Sequence, residues 1–241
     1  MITSKQNALI KEIRSLSDKK FRDKLNLFVV EGIKPVNEAI ALGLPVRTVI
    51  YTEKASGLLD LGSIHSECVT DEVFKSISEE STPQGALAVV NKPDQTPVQS
   101  TGKCLLLDGV SDPANVGAII RTAAAAGYNQ VYLTEDCADA YSQKAVRASM
   151  SGVFRVKVMR GKTQDLLPLI SAKKVVADMD GQDVFSVKPD GDVCLIIGNE
   201  GHGVSSLVRE NSSFTVKIPM ENGVESLNAA VSAGILMYCL K

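Results

Sequence analysis

The sequence predicts an α/β protein in two parts, a small α/β domain over residues 1–97 and a parallel-sheet domain over residues 103–241. Three observations predict it. Short apolar runs alternate with segments of helical periodicity along the whole chain. The runs of the second half, CLLLDGV (104–110) and VCLIIG (193–198) above all, are continuously apolar, as strands covered on both faces must be. Between the halves lies KPDQTPVQSTGK (92–103). It holds two prolines, a glycine and only Val98 as a large aliphatic, which marks a linker.

In the first half, Leu9, Ile10, Ile13 and Leu16 recur at helical spacing and predict a helix over 4–20, with Thr3 or Ser4 as N-cap. LFVVEG (27–32) reads as a strand, 33–42 as a helix, VRTVIYT (46–52) as a strand, 71–78 as a helix and GALAVVNK (85–92) as a strand. In the second half, strand 104–110 leads into a helix over 114–127 and the strand QVYLT (130–134). A helix follows over 141–150, then the strands VFRVKVM (153–159), KKVVADM (173–179), VCLIIG (193–198) and FTVKIP (214–219). A helix over 226–240 closes the chain.

Bulk properties narrow the function classes. The net charge is −2, so any nucleic-acid contact must use local basic patches. Two such stretches exist. Residues 5–24 carry Lys5, Lys11, Arg14, Lys19, Lys20, Arg22 and Lys24, and residues 140–164 carry Lys144, Arg147, Arg155, Lys157, Arg160 and Lys162. Either could equally be a solvated face. Cys68, Cys104, Cys137, Cys194 and Cys239 form no close pair and are odd in number, so they read as reduced core residues of a cytoplasmic protein. With only His65 and His202 beside them, no metal site is expected. No apolar run reaches the ~18 residues of a membrane span, and the polar N-terminus has no signal core.

The nucleotide motifs usual in parallel α/β domains are missing. The turn after CLLLDGV reads SDPANVG, GNEGHG (198–203) has the wrong glycine spacing for a dinucleotide fingerprint, and there is no P-loop. What stands in their place is three ordered segments: LLLDGVSDPANVGAIIRTAAAAG (105–127), LIIGNEGHGVS (195–205) and IPMENGVESLNAAVSAGILMY (218–238). Together, over about residues 103–241, they resemble the SpoU (TrmH) family of RNA ribose 2′-O-methyltransferases, within the SPOUT class. The first half, with KKFRDKLNLFVVEGIKPVNEAI, resembles the L30e-like substrate-binding domain that precedes many such enzymes.

The resemblance implies a trefoil-knotted domain, S-adenosylmethionine as cofactor, a homodimer, and structured RNA as substrate, ribosomal rather than transfer RNA. It implies cofactor contacts at Gly198, Ile218, Met220, Ser226 and Leu227, and catalytic roles for Asn115, Arg121, Glu200, Ser226 and Asn228. Each residue also has a plain structural reading. The glycines after an apolar strand can form a tight turn, and Ile218 and Leu227 can be core. Arg121, alone among small apolar neighbours, can snorkel or pair. Glu200 can cap a helix over 203–210, and Ser226 can be the N-cap of the last one. A guanidinium stays protonated, so Arg121 fits stabilisation of a developing alkoxide or grip on a phosphate better than base chemistry. In the last helix Ala229 and Ala233, and Ala230 and Gly234, form small pairs at i, i+4 that suit a close helix contact between two copies. A non-catalytic RNA-binding or ribosome-assembly protein, a transfer-RNA methyltransferase and a small-molecule nucleotide enzyme are the alternatives.

Overall fold

A computed structural model of the protein describes residues 1–240. The chain divides into two compact units: Met1–Pro93 with Tyr141–Arg147, and Asp94–Ala140 with the residues from Ala148 onward. The sequence-based division at 97 and 103 differs in two ways. The linker's later residues belong with the second unit, and a short segment from the second half belongs with the first.

The first unit begins with helices α1 (Ala8–Ser15) and α2 (Lys19–Leu25) where one helix over 4–20 is expected. The break has a local cause. Asp18 caps α2 through a bond from Lys20 N (2.8 Å), while the buried Arg22 guanidinium donates to the carbonyls of Leu16 (2.7 Å) and Ser17 (2.8 Å) that α1 leaves open. The N-cap of α1 is Asn7 rather than Thr3 or Ser4. Then follow β1 (Leu27–Glu31), α3 (Ile33–Ala41), β2 (Val46–Thr52), β3 (Ser66–Val69), α4 (Asp71–Lys75) and β4 (Ala86–Asn91). The sheet order is β1-β4-β2-β3, with β4 antiparallel to both neighbours and β3 parallel to β2. Strand β3 is short and mixed in character and has no clear apolar pattern in the sequence. Ile10 and Ile13 of α1, Leu16 just after it, and Val73 and Phe74 of α4 close the core over Val29, Ile50 and Leu87. The Tyr141 ring stands edge-on to Phe28, centroids 5.1 Å apart.

The second unit is built on β5 (Cys104–Asp108), α5 (Pro113–Ala126), β6 (Gln130–Thr134), the last residues of α6 (Gln143–Ser149), β7 (Lys157–Gly161), α7 (Thr163–Leu166), β8 (Lys173–Asp183), β9 (Val193–Gly198), α8 (Ser206–Glu210), β10 (Phe214–Lys217) and α9 (Ala229–Cys239). Its sheet is parallel at every pairing, in the order β10-β8-β9-β5-β6-β7. The central strands β5, β6 and β9 are buried almost throughout, which is why they read as unbroken apolar runs. Leu106, Cys194 and Ile196 turn to one face and pack on Leu166, Ile170 and Val208. Their neighbours alternate to the opposite face, where α9 packs on β9 and α5.

Residues 93–103 have no regular structure but are not loose. Tyr132 donates its hydroxyl to Val98 O (2.9 Å), and the Gln130 amide binds Thr101 N (2.6 Å) and Gln99 O (3.2 Å). Strand β7 starts at Lys157 because Gly152–Phe154 forms a 3₁₀ turn. Helix α9 starts at Ala229, not at 226, and Asn228 is its N-cap; Ser226 lies outside the helix. Part of the small face of α9 is used within the chain: Ala233 is fully buried, and a Cβ on Gly234 would stand 3.6 Å from Thr122 Cγ2 of α5, while Ala229, Ala230 and Gly234 are half-buried.

Candidate active site

Parallel strands present their C-terminal ends on one edge of the sheet, and the loops there are where α/β proteins bind ligands. In the second unit three loops meet at that edge. The first follows β5, the second follows β9 and the third precedes α9.

The first two loops are tied by their own sequences. Asn199 donates its side-chain amide to Gly109 O (2.8 Å) and accepts from Gly201 N (2.9 Å) and His202 N (3.2 Å). Asp108 accepts from Ser205 N at 2.7 Å. Backbone bonds between Asn199 and Gly203 (2.8 and 2.9 Å) close the loop on itself. Gly198 is required by that closure, since a Cβ there would lie 2.3 Å from the carbonyl carbon of Gly203. The loop's own backbone demands glycine at this position.

Glu200 joins the third loop. Its Oε2 accepts from Ser111 N (3.3 Å) and Ser111 Oγ (3.2 Å), and its Oε1 accepts from Asn115 Nδ2 (2.9 Å). Asn115 Oδ1 in turn accepts from Asn228 Nδ2 (2.9 Å), and Asn228 Oδ1 accepts from Ala230 N (2.9 Å) and Val231 N (3.3 Å), capping α9. Both side-chain amides therefore have fixed orientations. Partial burial works to raise the Glu200 carboxyl, but bonds from Asn115, its own backbone N–H and Ser111 outweigh it and hold the group below the ordinary glutamate value. Glu200 does not cap α8, which starts at Ser206 with Ser205 as N-cap.

Asn115, Glu200 and Asn228 are thus brought together, while Arg121 is not part of the network. It is exposed, with no hydrogen bond or ion pair to any described residue. Ser226 also stays outside the network. With Ile218, Met220 and Leu227 it lines a cavity of about 450 Å³ between β8, β10 and α9; Gly198 is not on its walls. The volume lies within the range of small-ligand sites. Val216, Ile218, Leu227 and Leu236 supply apolar walls. Among the described residues, none makes a hydrogen bond with the backbone of Glu225, Ser226 or Leu227. Apolar walls beside free peptide groups fit a planar, polar-edged ligand such as an adenosine.

Many of the basic residues are engaged structurally. Besides Arg22, Lys19 pairs with Asp23 (2.7 Å), Arg14 binds Ser76 (3.0 Å) and Arg147 pairs with Glu80 (2.6 Å). The Arg160 guanidinium donates to the carbonyls of Thr134, Glu135, Cys137 and Ala138. Lys5, Lys11, Lys20 and Lys24 are exposed in the first unit, and Lys157 and Lys162 in the second. Sequence reasoning missed Ser111, Asp108 and Asn199. A polar residue set between glycines right after an apolar strand, as in GNEG, was the available signal for Asn199.

A family model described as the SpoU rRNA Methylase family matches residues 102–238. The chain belongs to that family. An MRM3-like substrate binding domain model matches residues 7–88 ahead of the SpoU region. Among relatives, the chain is 32% identical to the 23S rRNA (guanosine(2553)-2'-O)-methyltransferase RlmP of Bacillus subtilis, over 100% of this chain and 98% of that one. Among solved structures, an AdoMet-bound rRNA methyltransferase from Sinorhizobium meliloti superposes with a TM-score of 0.88 at 29% identity, covering 99% of this chain and 95% of that one. The SpoU methyltransferase AviRb from Streptomyces viridochromogenes, in complex with AdoMet, superposes with a TM-score of 0.86 at 28% identity, covering 97% of each. The three segments of the SpoU resemblance are the ones that build the three-loop edge. Among the described residues no helix is long and apolar enough to cross a membrane, and no three His, Cys, Asp or Glu side chains are grouped to hold a metal ion.

Proposed function

We propose that this SpoU protein transfers a methyl group from S-adenosylmethionine to a ribose 2′-hydroxyl of ribosomal RNA. The observation that carries the reading is the Glu200–Asn115–Asn228 chain of bonds, which fixes the start of α9 next to a cavity with free peptide groups. A 23S rRNA 2'-O-methyltransferase among the relatives, and an rRNA methyltransferase and a SpoU methyltransferase with AdoMet bound among the structural neighbours, support it.

Ile218, Met220, Ser226 and Leu227 would hold the cofactor, largely through backbone. When bound, the cofactor supplies an electrophilic methyl group. The chain's own residues then do the rest. Asn115, Glu200 and Asn228 keep three loops in one geometry, so the site is organised before substrate arrives. Glu200 is an ionised acceptor with both oxygens occupied, which makes it a holding group and not a proton carrier. Arg121 is a permanently charged fork whose donors bond to none of the described residues. It suits the developing alkoxide of the ribose or the adjacent phosphate.

The first unit carries RNA recognition, in keeping with the MRM3-like substrate binding match and the free lysines 5, 11, 20 and 24. The protein acts as a homodimer. With Ala233 of α9 buried inside the chain, the exposed Val231 and Tyr238, two turns apart on that helix, offer the face for a second copy. The segment 218–228 threads the knot that the SpoU resemblance implies, and the compartment is the cytoplasm, where ribosomal RNA is modified. The test is transfer of labelled methyl groups from S-adenosylmethionine to ribosomal RNA, with the product mapped to a 2′-O-methyl nucleotide. Labelling confined to transfer RNA, or labelling of bases, overturns the reading.

A further inference from the structure

We infer that the turn Met150–Ser151–Gly152 is a positioning element for Arg121; the inference rests on the methyl-transfer reading above. The starting observation is backbone strain. Four non-glycine residues have positive φ among the described residues. Two are Asn26 and Asn222, a residue type that tolerates this region. The other two are consecutive: Met150 at 45° and Ser151 at 66°. Met150 is a long side chain in that region, and Ser151 is buried there, so neither is a comfortable occupant.

Gly152 follows directly, and its surroundings show what the turn is for. A Cβ on Gly152 would lie 2.8 Å from Arg121 Cα, 3.1 Å from Arg121 N and 3.3 Å from Ile120 O. The turn is therefore pressed against the main chain of α5 at Arg121 itself. It is held from within as well. Phe154 N donates to Ser151 O (3.1 Å), Arg155 N to Gly152 O (2.9 Å), and Val153 N reaches Ser149 Oγ (3.5 Å), with Ser149 fully buried. Strain of this kind persists where the surroundings over-determine the backbone, and it gathers near functional groups.

Arg121 needs such support. Among the described residues its side chain has no hydrogen bond or ion pair, so none of them aims the guanidinium. Its placement comes from its backbone alone. Ile119 and Ile120 lock that backbone on the core side, and Gly152 locks it on the other. Displacement of a reacting group by an ångström costs on the order of a hundredfold in rate, so an element packed against the Arg121 backbone governs turnover without touching substrate.

The test is a double-mutant cycle between Gly152→Ala and Arg121→Ala, read as single-turnover methylation of ribosomal RNA lacking the modification, with thermal melts and S-adenosylmethionine affinity in parallel. The expected result is that Gly152→Ala slows methyl transfer by about tenfold with cofactor affinity unchanged. In the Arg121→Ala background the same substitution should cost nothing further, because the group it positions is gone. A general packing role predicts the opposite: an equal loss in both backgrounds, which overturns the inference, as does full activity in folded Gly152→Ala. Should Gly152→Ala fail to fold, Ser149→Ala loosens the same turn from within. It is expected to slow transfer by about threefold with Arg121 present and not at all without it, and a loss of equal size in both backgrounds overturns the inference. If unaltered protein methylates no RNA, the functional reading fails and this inference with it. If unaltered protein is active and the two effects are independent, only this inference fails.

Discussion

Asn228 offers the sharpest test of how the site is held. Its Oδ1 caps α9 and its Nδ2 bonds to Asn115, two functions that a single atom change can separate. Asn228→Ala removes both. Loss of an N-cap costs about 1 kcal/mol, and loss of a neutral side-chain bond costs about as much again. Asn228→Asp keeps the cap, and its charge favours a helix N-terminus, but it has no N–H for Asn115 Oδ1 and loses about 1 kcal/mol. The residues affected border the cavity, at Ser226 and Leu227, so disorder there must be reversed on ligand binding. Since 1.4 kcal/mol is a factor of ten, the alanine variant should bind S-adenosylmethionine some tens of times more weakly and the aspartate variant only about fivefold. Calorimetric titration of the folded variants reads both numbers. In an Asn115→Ala background, Asn228→Asp should add no further loss. Wild-type affinity in Asn228→Ala, or a full additional penalty in the double variant, would refute the view that the Glu200–Asn115–Asn228 chain orders the cavity.

Arg121→Ala should lower turnover by about 10²–10³ while leaving the melting temperature where it was, because the side chain bonds to none of the described residues; Arg121→Lys should rescue little, and single-turnover rates beside melts decide it. Gly198→Ala should fail as a fold, not as a ligand site, since its Cβ would meet the Gly203 backbone at 2.3 Å; a folded variant with normal stability in urea melts contradicts that. Charge reversal at Lys11, Lys20 and Lys24 should flatten the salt dependence of RNA binding by about 0.7 per lost phosphate contact, whereas Arg22→Glu should unfold the first unit by orphaning the carbonyls of Leu16 and Ser17. Glu200 has a lowered carboxyl pKa in the folded protein, so its contribution to stability is present above the unfolded-state value and lost as pH falls through the folded one. The stability gap between wild type and Glu200→Gln should therefore be flat near neutrality and shrink on acidification; a gap that widens with acid reverses the sign and refutes the assignment.

By itself the sequence determined the class of the molecule and much of its cast. Runs such as Cys104–Asp108 and Val193–Gly198 are legible because a central parallel strand must be apolar on both faces, a local property of a few consecutive residues. Asn115, Glu200 and Asn228 were legible as members of three ordered segments. What only the tertiary structure decided is how these residues are used. Glu200 is far from Asn115 and Asn228 in sequence, and nothing local could say that its carboxylate would be taken by Ser111 and Asn115 rather than by Arg121. Gly198 reads as room for a ligand, and the fold adds that Gly203 occupies the place its Cβ would take. Arg22 reads as a surface charge until two helices meet at Leu16 and Ser17 and its donors become their cap. The small residues of the last helix fit a partner chain as well as they fit α5, and only the packed molecule shows α5 there. In each case the residue type constrains which bonds are possible, while the identity of the partner depends on segments that fold together from distant parts of the chain.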